Sequence, residues 1–584
     1  MGMVNFQSDR TSYYLAAIVS VTLIIFPSYL FSQVLLKESK ANFYFLESKV
    51  IDNGQVEQYL TTRMSHFWLT SSLVSRNDLL SSHIGGTWLR EKRFKIYPSL
   101  NAEVALDGGK INEKGTYVNV APTIAALASY KIPPVGRYRV IFWTIFEKHS
   151  VLSREVMNDF HYDFDYHKEI GWMSKVESNK WREYDIGDGG IQLFYPSGEI
   201  ALVKSNPIWG PGYTGQLLLS NKSPSFSFLS VNHRINRGWK FSYLHGSLNS
   251  TYEDSTYEYL GVTGWERPGY PLVRKYVVAH RLDYYPRQNF RLGFGESVIY
   301  GGRGPELGYI LAVVPFWSIQ HDLKDSDNVQ IFVDFDLVKK DIGRLYGAFY
   351  MDEWDLMKTF DKDESRNWIA YQAGATYRLP VMQTLGSTIR LEYSRITPHV
   401  YVHRNRINTF EHWGHPIGFW SGPNSDNLFA AVEGSPNDKL WFQLYTQYSR
   451  RGVVNDSTIV WQYKTIHIPF LYHYGDYSSG EYNPISYDPD LYEGEPENKT
   501  VFGLRGEIRL FSFVIIDFDL FYIDWEQKLY SDSGDRHHLE KWDMIIKVSF
   551  GFYSDDWIQR LDENSNDRVS DQKMDALVKL VVGL

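Results

Sequence analysis

The sequence predicts an all-β fold, a large transmembrane antiparallel β-barrel of about eighteen strands with a short helical N-terminal segment. Three observations point there. Apolar and polar residues alternate over many separate stretches, the two-residue period of a strand. Aromatic residues make up 16% of the 584 residues while charged residues still reach 22%, a mixture that suits a sheet with one greasy and one wet face. Only the N-terminal stretch comes near the ~20 consecutive apolar residues that a membrane-crossing helix needs.

That stretch runs from Tyr13 to Phe31, with Arg10 before it and Ser32 and Gln33 after it. It reads as a signal peptide over residues 1–33, with a retained anchor as the alternative. Residues 34–115 are expected to form an N-terminal segment on the periplasmic side or at the barrel end. Within it Val56, Leu60, Met64, Phe67 and Val74 fall near helical spacing. This predicts a short helix between Gln55 and Ser82, either packed at one end of the barrel or serving as a periplasmic contact.

The barrel is expected over residues 116–584. Ile331, Val333, Phe335 and Leu337 alternate with Gln330, Phe332, Asp334 and Asp336; Ile389, Leu391 and Tyr393 alternate with Arg390, Glu392 and Ser394. Leu440, Phe442, Leu444 and Tyr448 oppose Trp441, Gln443, Tyr445, Gln447 and Ser449, and later runs set Val514 to Tyr522 against Asp517 and Asp519, and Met544 to Phe552 against Lys547 and Ser549. A soluble sandwich also alternates, but there the apolar row is the core. Aromatic residues near strand ends favour a lipid-facing apolar row with interfacial girdles: Trp239, Tyr243, Trp354, Trp461, Tyr522, Trp525, Trp542 and Tyr553. Ala576, Val578, Leu580, Val582 and Leu584 share one parity and predict a closing strand. Phe511 to Phe513 leaves almost no loop, whereas Tyr472 to Lys499 and Ser554 to Lys573 are long and polar, the asymmetry of short periplasmic turns and long outer loops. Strands of ~10 residues plus such loops give about 16 to 20 strands.

Composition and motifs exclude other classes. A formal charge of −9 lacks the basic footprint of a nucleic-acid partner. The absence of cysteine removes thiolate metal sites, thiol nucleophiles and disulfides together. No HExxH, GxSxG or P-loop occurs, and no dinucleotide fingerprint follows a predicted strand. His412 and His415 flank Trp413 and Gly414, and the Gly and Pro neighbours speak against a helical metal pair, so no metal and no cofactor is expected. The loop from Tyr472 to Lys499 carries Tyr474, Tyr477 and Tyr482 among many carboxylates. It is either a sugar-stacking surface or a solvated outer loop.

Three segments resemble the Wzi-like capsule assembly family. They are residues 204–213 (KSNPIWGPGY) with 216–221 (QLLLSN), residues 294–301 (FGESVIYG) with Pro305, Glu306, Pro315 and Phe316, and residues 414–426 (GHPIGFWSGPNSD). The resemblance implies a blocked outer-membrane barrel that acts as a lectin, attaching capsular or extracellular polysaccharide to the cell surface without catalysis. It covers the barrel, and the N-terminal region shows no matching motif. Physically, Pro207, Gly210, Pro211 and Gly212 cannot continue a ladder and so bend the chain, which predicts either a barrel-rim turn anchored in the interface by Trp209 or a specific site. Trp413, Trp420, Asn424 and Asp426 are candidate sugar-binding residues, with turn capping as the alternative for Asn424 and Asp426. The expected partners are the polysaccharide, outer-membrane lipid and the periplasmic export machinery, with the barrel a monomer. Two further readings remain open. One is a porin-like channel made cation-preferring by Asp334, Asp336, Asp517 and Asp519, and the other an outer-membrane lipase.

Overall fold

The computed structural model describes residues 40–56, 62–64, 94–107, 117–132, 138–153, 175–178, 181–253, 272–324, 326–353, 368–380, 386–403, 405–437, 439–452, 497–510, 514–528 and 536–550. The expected signal peptide, Trp354, Trp461, Tyr553, the loop carrying Tyr474, Tyr477 and Tyr482, and the segment Ala576 to Leu584 lie outside them.

Eighteen antiparallel strands close into one barrel. In chain order they are β1 (Phe94–Asp107), β2 (Tyr117–Ile132), β3 (Tyr138–Ser153), β4 (Trp181–Tyr195), β5 (Gly198–Ser205), β6 (Phe226–Arg234), β7 (Trp239–Glu253), β8 (Leu272–Arg287) and β9 (Phe290–Gly301). The second half comprises β10 (Asn328–Lys339), β11 (Gly343–Glu353), β12 (Trp368–Arg378), β13 (Thr388–Ile396), β14 (Ser425–Asn437), β15 (Leu440–Arg451), β16 (Glu497–Leu510), β17 (Val514–Lys528) and β18 (Arg536–Phe550). Closure pairs β1 with β18, from Leu100 opposite Phe550 to Asp107 opposite Asp543. The barrel therefore begins at Phe94, upstream of residue 116, because Pro98 and the polar Asn101 and Glu103 hide β1 from a periodicity reading. Closure by β18 is likewise made upstream of the terminal segment expected to supply it.

Alternation assigns the two faces as the sequence predicted. On β10, Ile331, Val333 and Leu337 are exposed on the outer wall while Gln330, Asp334 and Asp336 are buried on the luminal side. Leu391 and Leu444 repeat this against Arg390, Glu392 and Gln443. The girdle assignment needs correction at Tyr243 and Trp525, which are buried; Trp525 shares the inward parity of Asp517 and Asp519, and Tyr243 lies beneath a covering loop described below. Trp542 does face outward, 57% exposed.

The connections are short at one end, as at 196–197, 288–289 and 340–342, and long at the other, as at 206–225, 302–327 and 397–424. The start of β1 and the end of β18 share the short-turn end. So does the N-terminal helix α1 (Lys40–Asn53), whose last turn and the residues just after it are tied to two short turns by Asp341 N–H to Ile51 O (3.0 Å) and Val56 N–H to Gln288 O (2.8 Å). The helix lies before the Gln55–Ser82 window; of the residues on which the expected helix rested, Val56 and Met64 are described and not helical, and Leu60, Phe67 and Val74 lie outside the described residues. Gly54, at φ 65°, ends it, and Thr62–Met64 is extended and pairs with Pro207–Trp209. Phe43, Leu46, Val50 and Ile51 form its buried stripe at helical spacing, but Glu47 sits in the middle of that stripe and disguises it.

Candidate functional site in the barrel lumen

Inward-facing charges on β8 to β14 do not line an open channel; they pair into one continuous ladder. Arg281 bonds Asp283 (2.5 Å) and Asp334 (3.0 Å), and Arg291 bonds the same two carboxylates at 2.9 and 2.5 Å. Arg344 joins Asp336 (2.6 Å) to Glu47 of α1 (2.9 Å). Arg390 then joins Glu47 (2.5 Å) to Glu433 (2.6 Å). Every one of these side chains is buried, so each charge depends on its partners to offset lost hydration. Asp334 and Asp336, expected to attract cations, are thus neutralised by arginines from neighbouring strands, and Asp519 accepts the Tyr445 hydroxyl (3.0 Å). Burial pushes the Glu47 carboxyl up, but Arg390 and Arg344 outweigh it and hold the group below the ordinary glutamate value.

Beside this ladder the segment 206–224 folds into the lumen. Trp209 is buried in the luminal apolar cluster with Leu217, Leu218 and Leu219, not in the membrane interface at the rim. The prolines and glycines bend the chain out of the ladder, and polar wall residues draw it inward by receiving the backbone groups that no ladder satisfies. Glu392 accepts the N–H groups of Tyr213 (2.6 Å) and Thr214 (2.8 Å), together with the hydroxyls of Thr214 and Tyr346. Arg344 donates to Pro211 O (3.0 Å), Lys40 to Tyr213 O (2.8 Å) and Gln372 to Gly215 O (3.0 Å). The Tyr213 ring lies under the Arg390 guanidinium at 3.9 Å, and its hydroxyl accepts from Gln443 (2.8 Å). Burial and the Glu433 charge push that hydroxyl up to about 12, so it stays protonated.

Gly210 holds φ 136°, and a Cβ on Gly212 would collide with Gly215 O and the Gln372 amide. Gly212→Ala is therefore expected to cost about 1–3 kcal/mol by overpacking. A lowered thermal transition of the folded barrel on semi-native gels would show it; an unchanged transition would mean the turn yields freely.

The third motif meets the first. Ser220 N–H donates to Ile417 O (2.8 Å), Ser220 Oγ reaches Gly418 O, and the Tyr401 hydroxyl donates to Leu217 O (2.5 Å). Glu411–His412 and His415–Pro416 form a two-residue hairpin with Trp413 at φ 54° and Gly414 at φ 75°, so the two histidines face each other across a turn. His412 Nδ1 accepts Asn249 N–H (2.9 Å), and burial pushes the imidazole down to about 3. Trp413 and Trp420 are half-buried in this segment. Asn424, at φ 53°, and Asp426 are buried, the latter gripped by Arg450 at 3.1 and 2.5 Å and by the Tyr393 hydroxyl at 3.3 Å. Among the described residues the candidate metal-ligand cluster is Asp524, His538 and Glu540, largely exposed on β17 and β18.

The model of the capsule assembly protein Wzi family matches residues 199–509, more than half of the 584-residue chain and all three motifs. The chain belongs to the Wzi capsule assembly family. No curated protein sequence matches it. Among solved structures it is similar to Escherichia coli Wzi, described as an outer-membrane, carbohydrate-binding β-barrel involved in group 1 capsule assembly, at 10% identity and a TM-score of 0.49, covering 89% of this chain and 100% of that one. It is also similar to OpdK of Pseudomonas aeruginosa, solved with vanillate, at 8% identity and a TM-score of 0.42 over 78% of this chain and 98% of that one. In this Wzi-family barrel, an integral outer-membrane protein, the short-turn end that receives both barrel termini is the periplasmic one. The first and third motifs then read as luminal plug, and what sequence reasoning missed is Glu47 of α1 and the wall residues Arg344, Gln372 and Glu433 that hold the luminal segments. Arg390, Glu392 and Gln443 were visible only as a polar row.

Proposed function

We propose that this barrel is a non-catalytic, lectin-like anchor that holds capsular or extracellular polysaccharide on the cell surface. One observation carries the reading. The chain's own segments, α1, 206–224 and 397–424, fill the described lumen and are bonded to its walls, so a Wzi-family barrel built this way offers a surface rather than a passage. Trp413 and Trp420 are half-buried and so present exposed surface on which sugar C–H faces can stack, and the sequence supplies Tyr474, Tyr477 and Tyr482 as further candidates for that contact. A long polymer then stays attached through many weak, repeated contacts. Asn424 and Asp426 serve by fixing the turn beside Trp420.

The test is retention. Cells lacking the protein are expected to make the polymer but shed it into the medium, and purified protein is expected to bind that polymer in solution. Retention unchanged in the deletion strain would overturn the proposal. A deletion from Tyr474 to Glu497 that leaves attachment intact would remove that loop from it.

A further inference from the structure

We propose that residues 302–327 form an elbow inserted in the outer leaflet, its outer face bathed by acyl chains. The segment leaves β9 at the extracellular end and carries two short helices, α2 (Leu307–Ile310) and α3 (Phe316–Asp322). It neither stands away from the barrel nor enters the lumen. On β7, β8 and β9 the luminal row includes Leu244, Val277, Ala279 and Ile299, so the alternate residues Tyr243, Tyr276, Val278, Val298 and Tyr300 face outward. These outward residues are nonetheless buried, in a separate cluster with Tyr309, Phe316 and Ile319 of the elbow. The wall has a core on each side.

Beneath the elbow lie polar groups that bare lipid would not tolerate. Glu296 is opposite Ile331 of the exposed apolar row on β10, and it accepts Phe316 N–H (2.5 Å). His280 Nδ1 meets Ala312 O (2.8 Å), and its Nε2 lies 3.6 Å from Glu296. The elbow supplies partners for these groups and screens them from hydrocarbon.

The outer surface of the elbow has the opposite character. Leu307 is 75% exposed, Leu311 60%, Val313 84% and Trp317 57%, beside the lipid-facing Phe294 and Val333. Arg303 clasps Asp327 at 2.9 and 2.6 Å, and the Tyr309 hydroxyl donates to Asp327 (2.7 Å), pinning the two ends of the elbow together, while its exposed polar residues Ser318, His321, Asp322 and Lys324 gather on and just after α3. An apolar patch continuous with a lipid-facing wall, its ion pair closed on itself, is a surface for acyl chains.

The chain has no cysteine, so one introduced thiol gives one label. Val313→Cys, Val333→Cys on the wall and Asn236→Cys on a periplasmic turn are each coupled to an environment-sensitive fluorophore and reconstituted in phosphatidylcholine vesicles. The Val313→Cys label is expected to emit as far to the blue as Val333→Cys, to lose its signal to acyl-chain-bound nitroxide lipid, and to resist iodide. Iodide quenching equal to that of Asn236→Cys, without nitroxide quenching, would overturn the proposal by placing the elbow in water. Protection from both quenchers would overturn it equally, with a second copy or another protein as the cover. Leu311→Cys repeats the measurement should Val313→Cys fail to give the heat-modifiable folded band.

Discussion

Replacing Glu392 by leucine is expected to raise the barrel's conductance above that of the wild type while leaving its strands intact. Four donors converge on this carboxylate: the N–H groups of Tyr213 and Thr214 and the hydroxyls of Thr214 and Tyr346. Leucine has no acceptor, and each buried donor left without one costs roughly 1–3 kcal/mol. Segment 206–224 can recover its hydrogen bonds by swinging into water. The backbone ladder of β13 keeps both its neighbours, β12 and β14, so the barrel itself loses little. Glu392→Gln should fall between, since the amide retains one accepting oxygen but aims an NH2 at the remaining donors. Single-channel recording in planar bilayers decides the matter. Wild-type-like conductance from a correctly folded Glu392→Leu barrel would show that other segments alone block the lumen.

The contrast between what the sequence revealed and what it concealed follows from the distances over which each signal acts. Lipid-facing and luminal rows were legible because alternation is local: Ile331 and Asp334 declare their faces within one strand. The strand number was legible for the same reason. Glu47 was not, because its partners Arg344 and Arg390 lie about three hundred positions away in the chain (297 and 343 residues), and a lone carboxylate in an apolar helical stripe reads as a break in the stripe. Asp334 and Asp336 pointed inward as expected, yet their charge meant neutral wall rather than cation path once Arg281 and Arg291 stood beside them. Trp209 shows a third limit. A turn rich in proline and glycine says that the chain bends but not whether it bends outward to the rim or inward to the lumen, and here the choice is made by Glu392, Gln372 and Arg344 on other strands. Phe316, part of the second motif, packs against the barrel's outer face, a placement that its local sequence does not declare.

Glu47→Lys is expected to release α1 from the lumen while the barrel remains closed. The substitution sets a third cation against Arg344 and Arg390, which now share only Asp336 and Glu433. Breaking a buried pair in this way costs about 3–5 kcal/mol, enough to undock a single helix but not to open eighteen strands. Asp52→Asn removes the ion pair of α1 to Arg378, but Asp52 is half-exposed, so the expected loss is below about 1 kcal/mol and the helix should stay docked. The wild-type response to pH has a definite sign. In the docked state Glu47 titrates below its ordinary value of 4.5, so the released state binds protons more readily. Its contribution to docking is fully present above the ordinary value and is lost as pH falls through the depressed one. Limited proteolysis of the N-terminal segment, read beside the folded gel mobility, should therefore show protection at neutral and mildly acidic pH and release only in stronger acid, whereas Glu47→Lys should be cleaved at neutral pH. Equal protection of the lysine variant and the wild type at neutral pH would mean that the apolar stripe of Phe43, Leu46, Val50 and Ile51 holds the helix without the ladder.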